Sequence, residues 1–94
     1  MVFINKKKAL NIVKKNGLNL AKIPQKFKKD REIVLAAVRN DGFAFVDADK
    51  KFLNDKEIAI EAVKNNHLAY LVLINSNLME DSDILKIVGL KSYQ

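Results

Sequence analysis

His67 is the single histidine of the 94 residues, and cysteine is absent. Without cysteine there is no thiolate nucleophile, no disulfide and no cysteine zinc site. Without a second imidazole His67 has no partner for a zinc triad, and no serine signature marks an acyl-transfer arrangement around it. Its expected role is that of a turn residue standing in for glycine, because histidine tolerates a left-handed backbone better than most side chains. Asp47 with Asp49, and Glu80 with Asp81 and Asp83, have the side chains of an acid–base pair or a calcium loop. Neither group shows the alternating acid spacing, closed by glycine and a final glutamate, that calcium requires, so both read as helix caps and solvated surface. Gly17, Gly42 and Gly89 are too far apart to cradle a phosphate. The chain is therefore expected to carry no catalytic residue, no metal site and no cofactor, and not to be an enzyme.

Charge is the chemistry that remains. Residues 1–31 hold nine lysines and one arginine against a single acid, Asp30, whereas residues 32–94 hold seven bases against ten acids. The net charge of +6 is thus concentrated at one end. Lys6, Lys7, Lys8, Lys14, Lys15, Lys26, Lys28 and Lys29 form a candidate polyanion patch, suited to a phosphate backbone, an anionic membrane surface or an acidic protein. Fifteen of the seventeen bases are lysine, whereas a dedicated nucleic-acid reader draws more on the planar fork of arginine. The aromatics Phe27, Phe43, Phe45, Phe52 and Tyr70 fall at recurring apolar positions, which assigns them to the core rather than to base stacking. Phe3 and Tyr93 are terminal.

The elements that must position these side chains recur. Asp30-Arg31-Glu32-Ile33-Val34-Leu35-Ala36-Ala37-Val38-Arg39-Asn40 is matched by Asp55-Lys56-Glu57-Ile58-Ala59-Ile60-Glu61-Ala62-Val63-Lys64-Asn65, 25 positions later. The same register reaches back to Asn5-Lys6-Lys7-Lys8 and, with a step of 26, forward to Asp81-Ser82-Asp83-Ile84. Each opening Asn or Asp suits an N-cap, and Glu32 and Glu57 suit the positive end of a helix dipole. Leu10 with Val13, Leu35 with Val38 and Ile60 with Val63 give one apolar stripe per helix of about ten residues. Gly17 and Gly42 sit where a helix ends through a left-handed residue, with His67 in that place in the third unit. A second apolar stretch follows (Leu18 with Leu20, Phe43 with Phe45, Leu68 with Tyr70). Next come a new start signal, Pro24 at an expected first helical position, Asp49 as an expected cap and Ser76 in the third unit, and an apolar plug, Phe27, Phe52 or Leu78.

The expected fold is all-α, a short solenoid of three helical repeats plus a truncated C-terminal capping repeat, in one domain over 1–94. The units run 5–29, 30–54, 55–80 and 81–94, and Gly89 to Gln94 reads as a terminal cap. One unit cannot bury its own apolar face, so neighbours must stack.

These units resemble an uncharacterised family of tandem helical repeats of about 25 residues found in bacterial and some viral proteins, whose motif reads D-[RK]-E-I-V-L-x-A-V-[KR]-x-[ND]-G. The likeness is strongest over Asp30 to Leu53, continues through Asp55 to Asn66, and weakens where Lys7 replaces the acid and where the fourth unit is cut short. The resemblance implies a helical-repeat fold and carries over no catalytic or binding residue. The N-terminus lacks a signal-peptide pattern, and no apolar run is long enough to span a bilayer; a cytoplasmic protein is expected. Its expected function is that of a non-enzymatic protein-interaction module, binding a protein partner or its own copy. The alternative is polyanion, including nucleic-acid, binding through the basic first unit.

Overall fold

The computed structural model describes residues 4–89, and every regular element among them is helical. Four α-helices, α1 (Lys6–Lys15), α2 (Arg31–Asn40), α3 (Lys56–Asn65) and α4 (Ser82–Ile87), are each separated from the next by two 3₁₀ helices. These pairs are Gly17–Lys22 with Gln25–Lys29, Gly42–Asp47 with Lys50–Asn54, and His67–Asn75 with Asn77–Glu80. Each α-helix packs on its successor, and the first 3₁₀ helix of each pair packs on the one in the neighbouring unit. The result is two layers, α-helices on one side and 3₁₀ helices on the other, in a body of 54 × 21 × 16 Å.

Local chemistry explains where each helix starts. The side chains of Asn5, Asp30, Asp55 and Asp81 each accept a hydrogen bond from a backbone N–H of the following first turn, at 2.9 to 3.4 Å. Asn16, Asp41 and Asn66 do the same for the first 3₁₀ helices, accepting from the N–H of Leu18, Phe43 and Leu68 at 3.0 Å. Asp49 and Ser76 cap the second 3₁₀ helices of their units, whereas Pro24, expected inside its helix, stands at the cap position with no side-chain bond.

The core lies between the two layers. Val13, Val38 and Val63 are fully buried, as are Ala9, Ile33, Val34, Ala37, Ile58, Ala59 and Ala62 of the α layer. Leu20, Phe45 and Leu73 meet them from the 3₁₀ layer, and Phe27 and Phe52 plug the second short helices. Each large side chain so buried contributes about 1.5–3 kcal/mol of transfer free energy. Leu10, Leu35 and Ile60, the other half of the expected stripe, are only partly covered and pack against the core margin.

Three expectations are corrected. Gly17 and Gly42 are not left-handed: among the described residues only Gly89 has a positive φ, 79°. Asn16 and Asp41 end their helices in extended conformations, and the glycines begin the next helix. Their role is to admit a neighbouring backbone. A Cβ on Gly17 would collide with the carbonyl oxygen of Ala37 and lie 3.0 Å from the Asp41 nitrogen; a Cβ on Gly42 would meet Ala62 and Asn66 in the same way. His67 likewise opens a 3₁₀ helix with negative φ, so it is not a left-handed substitute. Phe43 is 40 % exposed rather than buried in the core.

The third unit also differs in length. Its first 3₁₀ helix has nine residues against six in the second unit. Ser76 serves both as the end of that helix and as the cap of the next, where the second unit uses Ala48 and Asp49. One added turn, a link shorter by one residue and a second 3₁₀ helix of four residues instead of five together produce the step of 26. The added turn also moves the buried position from Tyr70 to Leu73, leaving the Tyr70 hydroxyl to donate to the Met79 carbonyl at 2.7 Å. The expected cap at Gly89 to Gln94 falls, beyond Gly89, outside the described residues, as do Phe3 and Tyr93.

Candidate functional site

The α face is organised by a ladder of ion pairs that crosses each joint between units. Lys6 Nζ lies 3.1 Å from Asp30 Oδ2 and 2.9 Å from Glu32 Oε1. Arg31 repeats the pattern one unit on, with Nε 2.7 Å and Nη2 3.0 Å from the two oxygens of Asp55 and Nη2 2.6 Å from Glu57. Lys56 repeats it again, 3.1 Å from Asp81 and 2.8 Å from Asp83. The first residue of each helix thus addresses the cap and second residue of the next. Hydrogen bonds from Arg31 hold the Asp55 carboxyl below the ordinary carboxylate range. Partial desolvation pushes Asp81 upward, but the Lys56 hydrogen bond and the N–H groups of Ile84 and Asp83 outweigh it and leave Asp81 lowered. The ammonium of Lys6 is held above its usual value by Glu32 and Asp30, and that of Lys56 by Asp83 and Asp81. All these pairs are exposed, so they set register more than they add stability.

At the opposite ends of the helices, asparagine joins the units. Asn40 Oδ1 accepts the Gly17 N–H at 2.6 Å while its Nδ2 donates to the Lys14 carbonyl at 3.0 Å. Asn65 takes the Gly42 N–H at 2.6 Å and donates to the Arg39 carbonyl at 3.1 Å. Each asparagine therefore satisfies a helix-end carbonyl and the first N–H of the following 3₁₀ helix in the unit before it. Ladder and clamp tie the N-terminal ends together and the C-terminal ends together, which makes the α-helices parallel.

The candidate patch lysines divide into groups. Lys6 is engaged in the ladder. Lys7 and Lys8 are exposed beside it in the first turn of α1, and Lys14 and Lys15 are exposed in its last turn, about 10 Å along the axis. Lys26, Lys28 and Lys29 share the helix Gln25–Lys29. Lys26 Nζ lies 5.0 Å from the Phe27 ring centroid, as Lys51 lies 5.1 Å from that of Phe52. Lys28 donates to the Ala21 carbonyl at 3.2 Å, and Lys29 is exposed next to Asp30. The eight are spread over the two ends of α1 and the short helix Gln25–Lys29. Asp47 ends a 3₁₀ helix, Asp49 caps one, and Asp81 and Asp83 belong to the ladder. His67 is exposed. Among the described residues no group of three or more His, Asp or Glu is placed to hold a metal ion, and no helix is long and apolar enough to cross a membrane.

Sequence reasoning missed the other face. Leu18, Phe43 and Leu68 each occupy the second position of their 3₁₀ helices and point outward, and Val46, Leu71 and Ile74 follow at intervals of three. In a 3₁₀ helix residues three apart eclipse one another, so Phe43 with Val46, and Leu68 with Leu71 and Ile74, form parallel rows on one side of adjacent helices. Exposure is 41 % at Leu18 and 40 % at Phe43 and rises to 68 % at Ile74. The three-residue spacing of 68, 71 and 74 was the available signal; at helical period it reads instead as a buried stripe.

The family described as Domain of unknown function (DUF4116) matches residues 5–53 and 41–78, two overlapping segments that together cover most of the chain. No curated protein and no solved structure matches the chain. The DUF4116 match runs across the caps, ladder and glycines of three successive units, and the chain belongs to that family.

Proposed function

We propose that this protein is a non-enzymatic docking module of the cytoplasm, a short helical solenoid whose binding surface is the outer side of its 3₁₀ layer. One observation carries the reading: Leu18, Phe43, Val46, Leu68, Leu71 and Ile74 are all large, apolar and exposed on one side of adjacent helices. Together they offer on the order of 500 Å² of apolar surface, near the top of what a monomer ordinarily leaves uncovered, and such patches mark sites of association. The opposite face spends its polar groups on the ladder and clamps. Stacked helical arrays commonly bind through their extended faces, which supports the reading by analogy of architecture only.

The test compares tagged wild type with Leu68→Asp and Leu71→Asp as baits in its own lysate. Both positions face solvent, so far-ultraviolet circular dichroism is expected to be unchanged while the captured proteins are lost. Identical captures from wild type and variants would sink the reading.

Polyanion binding through the first unit is the second reading. It is supported by Lys7 and Lys15, which stand in α1 where α2 and α3 carry Glu32 and Glu57, or Asn40 and Asn65. It predicts binding to mixed-sequence RNA or DNA that weakens steeply with salt. That binding is expected to disappear when Lys7, Lys8 and Lys15 are changed to Glu. No retention at low salt removes this reading.

A further inference from the structure

We infer that Asn16 is a latent modification site, open to spontaneous deamidation by the Gly17 nitrogen, and that the Asn40 clamp blocks the reaction while the first two units stay packed. Asn16 is the one asparagine of the chain that is followed by glycine. With no Cβ on the next residue, nothing shields the backbone nitrogen that attacks. In the reaction the Gly17 nitrogen gives up its proton to base and bonds to Asn16 Cγ, closing a five-membered succinimide, while the side-chain nitrogen takes up a proton and leaves as ammonia. Water then adds to one of the two ring carbonyls and breaks its bond to the ring nitrogen. One opening gives aspartate and the other isoaspartate; either way one water is consumed and one ammonia released.

Three features of the joint oppose ring closure. The attacking N–H is donated to Asn40 Oδ1 at 2.6 Å, and a nitrogen stripped of its proton would face the lone pairs of that oxygen. The Asn16 side chain is held in its cap, its Oδ1 accepting from the Leu18 N–H at 3.0 Å. The ψ of Asn16 is 111°, whereas the ring needs the Gly17 nitrogen in the plane of Cα, Cβ and Cγ, which for an L residue swings ψ far to the negative side. That swing would turn the buried Gly17 away from Asn40 and from the Ala37 carbonyl beside it. The reaction therefore waits for the joint to open locally. Its two products then differ. Asp41 holds the equivalent place in the second unit, with φ −147° and ψ 110° against −155° and 111° at Asn16, and caps its 3₁₀ helix through the same bond, from the Phe43 N–H at 3.0 Å. Aspartate at position 16 thus keeps the joint, whereas isoaspartate inserts a methylene into the main chain just before Gly17 and takes its N–H out of register with Asn40.

The test follows the appearance of aspartate and isoaspartate at position 16 by peptide mapping of the full chain, folded and in urea, in mildly alkaline buffer. Folded wild type is expected to convert much more slowly than the unfolded chain. Asn40→Ala, folded by circular dichroism, is expected to convert about 5–30 times faster than wild type, the factor set by losing the clamp's hydrogen bonds. Asn65→Ala loosens the second joint and is expected to leave the rate at Asn16 near that of wild type. Equal rates for folded and unfolded wild type, no acceleration in Asn40→Ala, or the same acceleration in Asn65→Ala would each overturn the proposal. If Asn40→Ala does not fold, wild type in rising urea decides. Conversion at Asn16 that climbs ahead of the unfolding transition upholds opening of the joint, and conversion that only tracks the transition overturns it.

Discussion

Gly42 and His67 open the same helix in two successive units, and their surroundings have little in common. At Gly42 the next α-helix comes so close that its Ala62 carbonyl occupies the space of a side chain, and Asn65 of that helix takes the glycine N–H. At His67 the following helix is α4, which ends at Ile87, and the imidazole is exposed. The Lys56 pairs with Asp81 and Asp83 persist at this last joint. The two joints therefore share their electrostatics and differ in how near the backbones come. The contrast assigns the glycine to the neighbour rather than to its own turn: it is needed where a full-length helix packs against it.

Substitutions at the two positions should separate most widely. Gly42→Ala places a methyl group against a backbone carbonyl that cannot rotate away, so the second and third units must part; a loss of about 3 kcal/mol is expected in urea unfolding. His67→Ala, at the same place one unit later, is expected to stay within about 0.5 kcal/mol of wild type. Equal losses at the two sites would break the comparison. Asn65→Ala is the next largest, because it strands the Gly42 N–H and the Arg39 carbonyl at a partly buried joint; about 1–2 kcal/mol is expected, measured the same way.

Acid sharpens the shared part. Asp55 and Asp81 have folded pKa values below their unfolded ones. Their contribution is complete above the ordinary aspartate range and disappears as pH falls through the lower folded values. Thermal midpoints should drop below about pH 4, and Arg31→Ala should reduce that dependence. Lys6 and Lys56 are raised, so their contribution is present at neutral pH and is lost only on the alkaline side, as pH climbs through their folded values. The smallest effect at neutral pH is expected for Arg31→Ala itself, since its pairs are exposed and screened by salt. An Arg31→Ala loss as large as that of Gly42→Ala would show that the ladder, not the close approach, holds the units together.

Much of this architecture was readable from residue types alone. The caps Asn5, Asp30, Asp55 and Asp81, and the buried Val13, Val38 and Val63, follow from local rules: a short polar side chain before an apolar period starts a helix, and the repeated apolar position faces the core. What escaped depends on neighbours distant in sequence. Gly17 and Gly42 look like left-handed stops until the Ala37 and Ala62 carbonyls are in view. Phe43 and Leu18 recur at apolar positions, yet recurrence reports equivalence between units and not which way a side chain points. Tyr70 was aligned with Phe45 because a three-residue insertion, offset by one residue lost from the link and one from the second 3₁₀ helix, changed the spacing by only one. Among the candidate lysines, Lys6 belongs to the ladder, which a pairing of opposite charges 24 and 26 positions apart could have revealed.

The nine-residue helix His67–Asn75 exceeds its counterpart by three residues, and three residues are one full turn of a 3₁₀ helix. Growth by that amount leaves the phase of the helix intact: Leu73 arrives at the azimuth of Phe45, and Ile74 at that of Val46. An insertion of one residue would instead rotate everything after it by about a third of a turn, exchanging inside for outside. The 3₁₀ layer can therefore change length only in whole-turn quanta, and each quantum adds one side chain to the exposed row, as Leu71 does in the third unit.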